Sequence, residues 1–353
     1  MGLFEGMLGE GESLFKNEDA LDTEFVPKLL PYRENQQRHI ATCIKPLLQD
    51  RNGRNLFIYG APGVGKTAAM RWVFRDLEDT TEEVIPIYIN CWQKNTTYKI
   101  AIEICEQLGY RFTQNKNTEE LFKVIQGLLN KNSVVLAFDE IDKAEDYDFL
   151  YTILNDVYKK SVFLITNYKE WLDQLEDRIK SRLLPETIEF AQYNRTETAE
   201  ILKQRISYAF VPGVWDSKAF EMIADKTTEL KDIRAGLYLL KEAGRIAEEN
   251  SSKKILPEHA EKAISKISDF KIKNSAELED DTRLVLSVVK ENSGQKIGDL
   301  YNIYKEKNGM GSYKTFQRRI EKLSEGKFIT TDKICGKEGN TTIVSYTKKL
   351  TEF

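Results

Sequence analysis

Residues 58–72 read "IYGAPGVGKTAAMRW", and the pattern G-x-x-x-x-G-K-T fills Gly60 to Thr67. An apolar run, "NLFIY" (55–59), leads into it, and a helical pattern follows it. Glycines at these places let backbone N–H groups point at phosphate oxygens where a side chain would collide. The stretch Gly60, Ala61, Pro62, Gly63, Val64, Gly65, Lys66, Thr67, Ala68 is therefore read as a phosphate cradle between a strand and a helix. The helix opening near Lys66 adds the positive end of its dipole. Lys66 is placed at the β- and γ-phosphates of ATP or ADP, and the Thr67 hydroxyl on Mg²⁺.

Downstream, "VIPIYIN" (84–90), "SVVLAFDE" (133–140) and "SVFLITN" (161–167) are apolar runs separated by longer helical patterns. Strands buried on both faces read this way, and the intervening helices suit parallel crossovers. The expected fold is α/β, with a parallel sheet. The second run ends in "FDEID", so Asp139 lies at the carboxyl end of a strand, where such sheets bind ligands. Asp139 is the expected Mg²⁺ partner through water, and Glu140 the group that orients or deprotonates an attacking water. Asn167 ends the third run; a neutral amide there can position water beside a γ-phosphate without adding negative charge. An isolated asparagine after a strand would be a turn residue.

In "LEDRIKSRLLPE" (175–186), Arg178 and Arg182 are four residues apart and share one helix face. Alone, that spacing describes a solvated amphipathic helix. In series with the earlier motifs, the pair resembles the arginine finger of an oligomeric ATPase, which reaches a neighbouring subunit's nucleotide.

The order "GAPGVGKT", "FDEID", "ITN", "RIKSR" resembles an AAA+ ATPase. The lead-in "PYRENQ" (31–36), a helical insertion near 97–112 and the C-terminal module resemble the archaeal origin-recognition initiators more narrowly. These are relatives of the eukaryotic origin recognition complex and its cell-division-cycle loader. The resemblance covers nearly the whole chain from about Glu24. It implies that Leu30, Pro31 and Arg33 lie against the adenine. It also implies that "KDIRAGLYLLKEAG" (231–244) is the family's second sensor helix, with Arg234 on the γ-phosphate. Where the family has glycine before that aspartate, this chain has Lys231.

The chain has 353 residues, enough for two or three cores. It carries no apolar run of membrane-spanning length and no secretory signal, so a cytoplasmic, nucleoid-associated protein is expected. Four scattered cysteines without C-x-x-C, and two histidines, point to a reducing compartment and away from a structural zinc site. Residues 281–353 hold 14 Lys and Arg against 9 Asp and Glu, a net +5; residues 1–280 hold 38 against 47, a net −9. A basic module on an acidic body suggests a polyanionic partner at that end.

The organisation expected is an N-terminal tail (1–24), an AAA+ nucleotide-binding domain (25–192), a helical lid (193–275) with Asn194 and Asp216 as caps, and a winged helix (279–353). Three helices (281–292, 296–307, 312–325) and a hairpin (327–334, 341–347) make up the last. On its third helix, with Ser312 as N-cap, Tyr313, Phe316, Ile320 and Leu323 cluster within about 80° and form a core face. Lys314, Arg318 and Lys322 lie opposite, with Thr315 and Arg319 beside them. A basic front on an apolar back suits a DNA major groove, and Lys333 and Lys337 put charge on the wing.

The function these features imply is an ATP-binding and -hydrolysing replication initiator. Its expected partners are double-stranded origin DNA, other initiator subunits and the replicative helicase, with no membrane. Two other readings share the parts: a DNA motor of the Holliday-junction branch-migration type, and a signalling NTPase switch whose winged helix packs on its own core. For the module alone, the alternative is a winged helix that binds only protein.

Overall fold

Leu56 and Ile58 are buried on one side of β1 (Leu56–Tyr59) and Phe57 on the other, as two-residue periodicity requires of a strand covered on both faces. The computed structural model describes residues 13–276, 280–307, 309, 311–325, 329–336 and 339–346, leaving aside the side chains of 268–283, 322, 325 and 332–341. In it five parallel strands are ordered β2 (Val84–Asn90), β3 (Ser133–Asp139), β4 (Lys160–Thr166), β1 and β5 (Glu186–Glu189). All seven residues of β3 are buried, in keeping with its interior place in the sheet and its continuous apolar run.

Helices cover both faces. α1 (Glu34–Ile44) and α2 (Lys66–Thr80) pack Ile40, Cys43, Met70 and Phe74 against one. α3 (Thr97–Gln107), α4 (Thr118–Leu129), α5 (Asp148–Asp156) and α6 (Asp177–Leu183) pack Ile104, Ile125, Phe149 and Ile179 against the other. Strand β5 was not expected: its sequence, "ETIE", has one apolar residue in four and lies at the sheet's edge, where exposure alternates. The expected insertion near 97–112 holds α3, and α4 follows it.

The lid is helical. α7 (Arg195–Ala209) opens with a capping box in which Asn194 accepts from the Glu197 N–H and the Glu197 carboxylate accepts from the Asn194 N–H. Asp216 caps α8 (Ser217–Leu230) and Asp232 caps α9 (Ile233–Glu249). Lys231 ends α8 with φ 55°, a left-handed position suited to glycine.

From Ser13 onward the N-terminal stretch is not a free tail. Leu14, Ala20 and Leu21 are buried, Phe15 stacks on Phe210 at 4.7 Å, and Phe15 fills space over Gly244, where an added Cβ would meet its ring at 2.4 Å. Full burial of a side chain such as Leu14 or Leu21 contributes roughly 1.5–3 kcal/mol, and half-buried Phe15 gains part of that. Buried Arg205 of α7 donates to the carbonyls of Ala20 (3.1 Å) and Phe25 (3.2 Å). Burial lowers its pKa to about 10. The strap then pairs Glu24 with Arg71 on α2, and the Trp72 indole donates to the Lys28 carbonyl at 3.0 Å.

α10 (Pro257–Ala276) follows, and the chain divides into compact units within it, Met1–Ile264 and Ser265–Phe353, earlier than the boundary expected at 275–279. The second unit has α11 (Asp280–Glu291), α12 (Ile297–Glu306), α13 (Tyr313–Glu325) and a three-stranded sheet in the order β6 (Gln295–Lys296), β8 (Gly339–Tyr346), β7 (Ile329–Gly336). That is a winged helix. The hairpin strands run further toward their turn than expected, to Gly336 opposite Gly339. No helix among the described residues is long and apolar enough to cross a membrane.

Candidate nucleotide site and basic helix

The phosphate loop joins β1 to α2, and its glycines are constrained. Gly60 approaches β5's exit so closely that a Cβ would meet the Phe190 carbonyl at 2.4 Å. Gly63 (φ 76°) packs on the lid; a Cβ would fall 2.0 Å from Asp232 Oδ1. Gly65 (φ 90°) lies below the Tyr193 hydroxyl. A phosphate cradle needs such bare, inward-turned backbone, so the loop fits a nucleotide.

Lys66 is buried. Its ammonium donates to the carbonyls of Gly60 (2.7 Å) and Ala61 (3.0 Å) and to Asn167 Oδ1 (2.8 Å). Lys66 and Asn167, 101 residues apart, thus meet. Burial lowers the Lys66 pKa to about 8, against the pull of Asp139 and with the push of Arg234. Asp139 accepts from the Thr67 hydroxyl and, at 2.6 Å, from the Tyr88 hydroxyl. These residues fit Mg²⁺: a hydroxyl and a carboxylate offer the hard oxygen donors it takes.

Glu140 follows Asp139 with φ 52° and ψ 43°, a strained conformation for a non-glycine residue that turns the chain sharply off the strand. Burial, then the Asp139 and Asp142 carboxylates, raise its pKa, while Lys143 and Arg234 pull it down. Arg234 is clamped by Asp232 through Nε (3.1 Å to Oδ1) and Nη2 (2.9 Å to Oδ2). Its charge is felt by both Lys66 and Glu140.

Among the lead-in residues, Leu30 packs against the same core as Ala61, Pro31 is half-buried, and Arg33 is buried. Arg33 donates to the carbonyls of Val64 (3.0 Å) and Ala191 (2.6 Å), and its guanidinium lies 3.9 Å from the Tyr193 ring centre. Its contacts are to the loop and to the segment after β5. Pro62 and Ala68 lie within the loop and the first turn of α2.

Arg178 and Arg182 do share a face, both over Tyr151, at 5.1 and 4.8 Å. Arg178 is held by Glu176 and by Asp148 (2.9 Å). Exposed Arg182 donates to the Arg178 carbonyl (3.1 Å) and makes no ion pair among the described residues. Neither bonds to the Lys66 cluster within the chain.

Tyr88, Asp232 and Tyr193 were not foreseen. Tyr88 had a signal, since β2 alternates and places it one pleat from the strand's end. The other two are known only through contacts made across long stretches of sequence.

On α13, Phe316, Ile320 and Leu323 are buried, but Tyr313 is 40% exposed, its ring edge-on to Tyr301 at 5.0 Å. As the first helical residue it overhangs the core. Ser312 caps the helix, accepting from the Thr315 N–H (3.3 Å), and its hydroxyl also bonds the Thr315 hydroxyl (3.0 Å). Lys314 and Arg318 are exposed, while Arg319 leans back to the Tyr304 hydroxyl at 3.4 Å. The side chains of Lys322 and Lys333, and Lys337 altogether, lie outside the described residues.

A family described as the Cdc6 AAA+ ATPase-type lid domain matches residues 199–265, and one described as an AAA domain matches 49–175. ORC1-type DNA replication protein 2 of Methanothermobacter thermautotrophicus is 32% identical over 358 residues, covering 94% of this chain and 92% of that protein. The structure of the Aeropyrum pernix ORC1 protein in complex with DNA is similar with a TM-score of 0.75 and 28% identity, over 96% of this chain and 95% of that one. A Thermotoga maritima RuvB structure, at TM-score 0.51 and 15% identity over 94% of this chain and 95% of that one, is alike in fold alone.

Proposed function

This chain belongs to the ORC1-type DNA replication proteins, AAA+ ATPase-family initiators, and from that premise we propose that it binds ATP, hydrolyses it within an assembly on origin DNA, and helps recruit the replicative helicase. The observation that carries the DNA part is the likeness, over 96% of the chain, to a relative solved on DNA. The branch-migration reading has a likeness of fold only.

In this proposal Lys66 meets the β- and γ-phosphates, exchanging the Gly60 and Ala61 carbonyls for phosphate oxygens. Thr67 and Asp139 hold Mg²⁺, whose charge would offset that of the phosphates, and Tyr88 fixes the Asp139 carboxylate. Asn167 and Glu140 orient water, and the raised Glu140 pKa favours its taking a proton. Arg234 must leave Asp232 to reach a γ-phosphate, so nucleotide and Asp232 compete for it. Leu30, Pro31 and Arg33 border the base. Arg182, which has no ion-pair partner among the described residues, serves the neighbour's nucleotide, and Arg178 braces it through Tyr151 and its carbonyl.

DNA is read by α13. Arg318, opposite the buried face, meets base edges, and Lys314 meets phosphate. A bidentate arginine–guanine contact is worth about 1–3 kcal/mol of discrimination. Arg318→Ala should weaken binding to origin duplex about tenfold or more, and by more than it weakens binding to random duplex of equal length. Salt titrations of both duplexes measure this; equal loss on both would remove Arg318 from base readout.

A further inference from the structure

We propose that His39, Cys43 and Glu186 form a zinc site joining α1 to β5, outside the nucleotide pocket. His39 and Cys43 are four residues apart on α1 and so share one face. Glu186 opens β5. His39 Nε2 lies 2.7 Å from Glu186 Oε2, and Cys43 Sγ lies 3.9 Å from the same oxygen. One ligand atom from each falls within 4.8 Å of the other two. Zinc bonds of about 2.0–2.3 Å hold neighbouring tetrahedral ligands roughly 3.3–3.8 Å apart, so the His39–Glu186 pair must open by several tenths of an ångström. The Cys43–Glu186 spacing is already close to that range.

The surroundings match a metal site in two further respects. Arg54 Nη1 holds the other carboxylate oxygen, Oε1, at 3.0 Å, leaving Oε2 directed at His39 and Cys43. Its backbone N–H donates to the Cys43 carbonyl at 3.0 Å. The guanidinium on the carboxylate is an outer partner of the kind that orients a ligand, and the backbone bond places Arg54 beside Cys43. His39 and Glu186 are 36% and 39% exposed, so an ion can arrive from solvent, while Cys43 is buried at the base. One thiolate, one imidazole and one carboxylate suit Zn²⁺ rather than Mg²⁺, which takes oxygen. Water would complete four-coordination. Binding forms the sulfur–zinc bond and releases the thiol proton to solvent.

The site has a structural consequence. At its amino end α1 is tied to the segment after β5 by Arg33, through the Ala191 carbonyl. Zinc would tie the same two elements at their other ends, some 10–15 Å away along the helix. The α1 lead-in would then be fixed against the sheet whether or not nucleotide is bound. Sequence spacing conceals the site because Glu186 is 143 residues from Cys43.

The test uses the full chain, stripped with chelator and titrated with Zn²⁺ against a chromophoric competitor, and separately with Co²⁺. The expected result is one Zn²⁺ per chain and a near-ultraviolet thiolate-to-cobalt band with tetrahedral visible bands. Cys43→Ser should abolish the thiolate band, and Glu186→Gln should weaken Zn²⁺ binding at least about tenfold. His39→Asn changes a half-exposed side chain, so it should melt like the metal-free parent yet lose Zn²⁺ binding. Zn²⁺ binding unchanged in His39→Asn and Cys43→Ser would overturn the proposal. So would a cobalt spectrum without a thiolate band, or no binding at all, which would leave an ion-pair cluster of Glu186 with His39 and Arg54.

Discussion

Lys66 shows how one buried charge links a binding site to pH. Without nucleotide its pKa is lowered to about 8, and phosphates beside it would raise that value. Below about pH 8 the ammonium is charged in both states, and ATP affinity should be flat. Above it the free protein loses the proton, which binding must restore, so affinity should fall by up to about tenfold per pH unit. Titration of a fluorescent ATP analogue between pH 6 and 9.5 measures this, and a flat profile would mean that Lys66 keeps its proton. Glu140 gives the complementary case. Glu140→Gln should bind ATP like the parent and lose turnover, whereas Lys66→Ala should lose binding; equal loss of binding in both would remove Glu140 from the water-positioning role.

Among the elements, α8 ends at a residue whose backbone is costly. Lys231 adopts φ 55°, where a side chain costs roughly 1–2 kcal/mol and glycine is tolerated. Lys231→Gly should therefore raise stability by about 1 kcal/mol, read as a higher urea midpoint at unchanged slope; a lower midpoint would show that its side chain contributes more than the strain removes. The glycine expected there by family resemblance has a physical cause in this turn. Elements whose patterns lie in one window were legible: β1 to β4 as apolar runs, α7 by its Asn194 cap, and α13 by a face that includes Phe316 and Ile320. β5 was not, because an edge strand of alternating exposure carries little signal. Nor were the Asp232 contact with Gly63 and the Tyr193 stack on Arg33, which exist only after distant segments pack.

For the whole molecule, the division of charge means that an acidic body carries a basic C-terminal module. DNA affinity should then depend on where the charge lies more than on the net −4. Assembly is testable by complementation. Arg182→Ala should bind ATP normally, and the Lys66→Ala variant should not. Mixed, they should regain part of the turnover that each lacks alone, at interfaces where a parent-like pocket faces an intact arginine. Origin-dependent ATPase assays on single and mixed variants measure this. No recovery, with parent-like turnover of Arg182→Ala alone, would make Arg182 a surface residue.

The strap from Ser13 to Glu24 has a bearing on how the chain is made. Leu14, Phe15 and Leu21 are synthesised well before the helices that bury them, α7 and α9, which are translated roughly two hundred residues later. At about 5–20 residues per second, the nascent chain exposes this apolar stretch for some 10–40 seconds. It closes onto the lid only when α9, with Gly244 beneath the Phe15 ring, has emerged. During synthesis this stretch is therefore a natural holding point for a chaperone, and final closure of the first unit waits on the translation of nearly all of the segment up to Ile264.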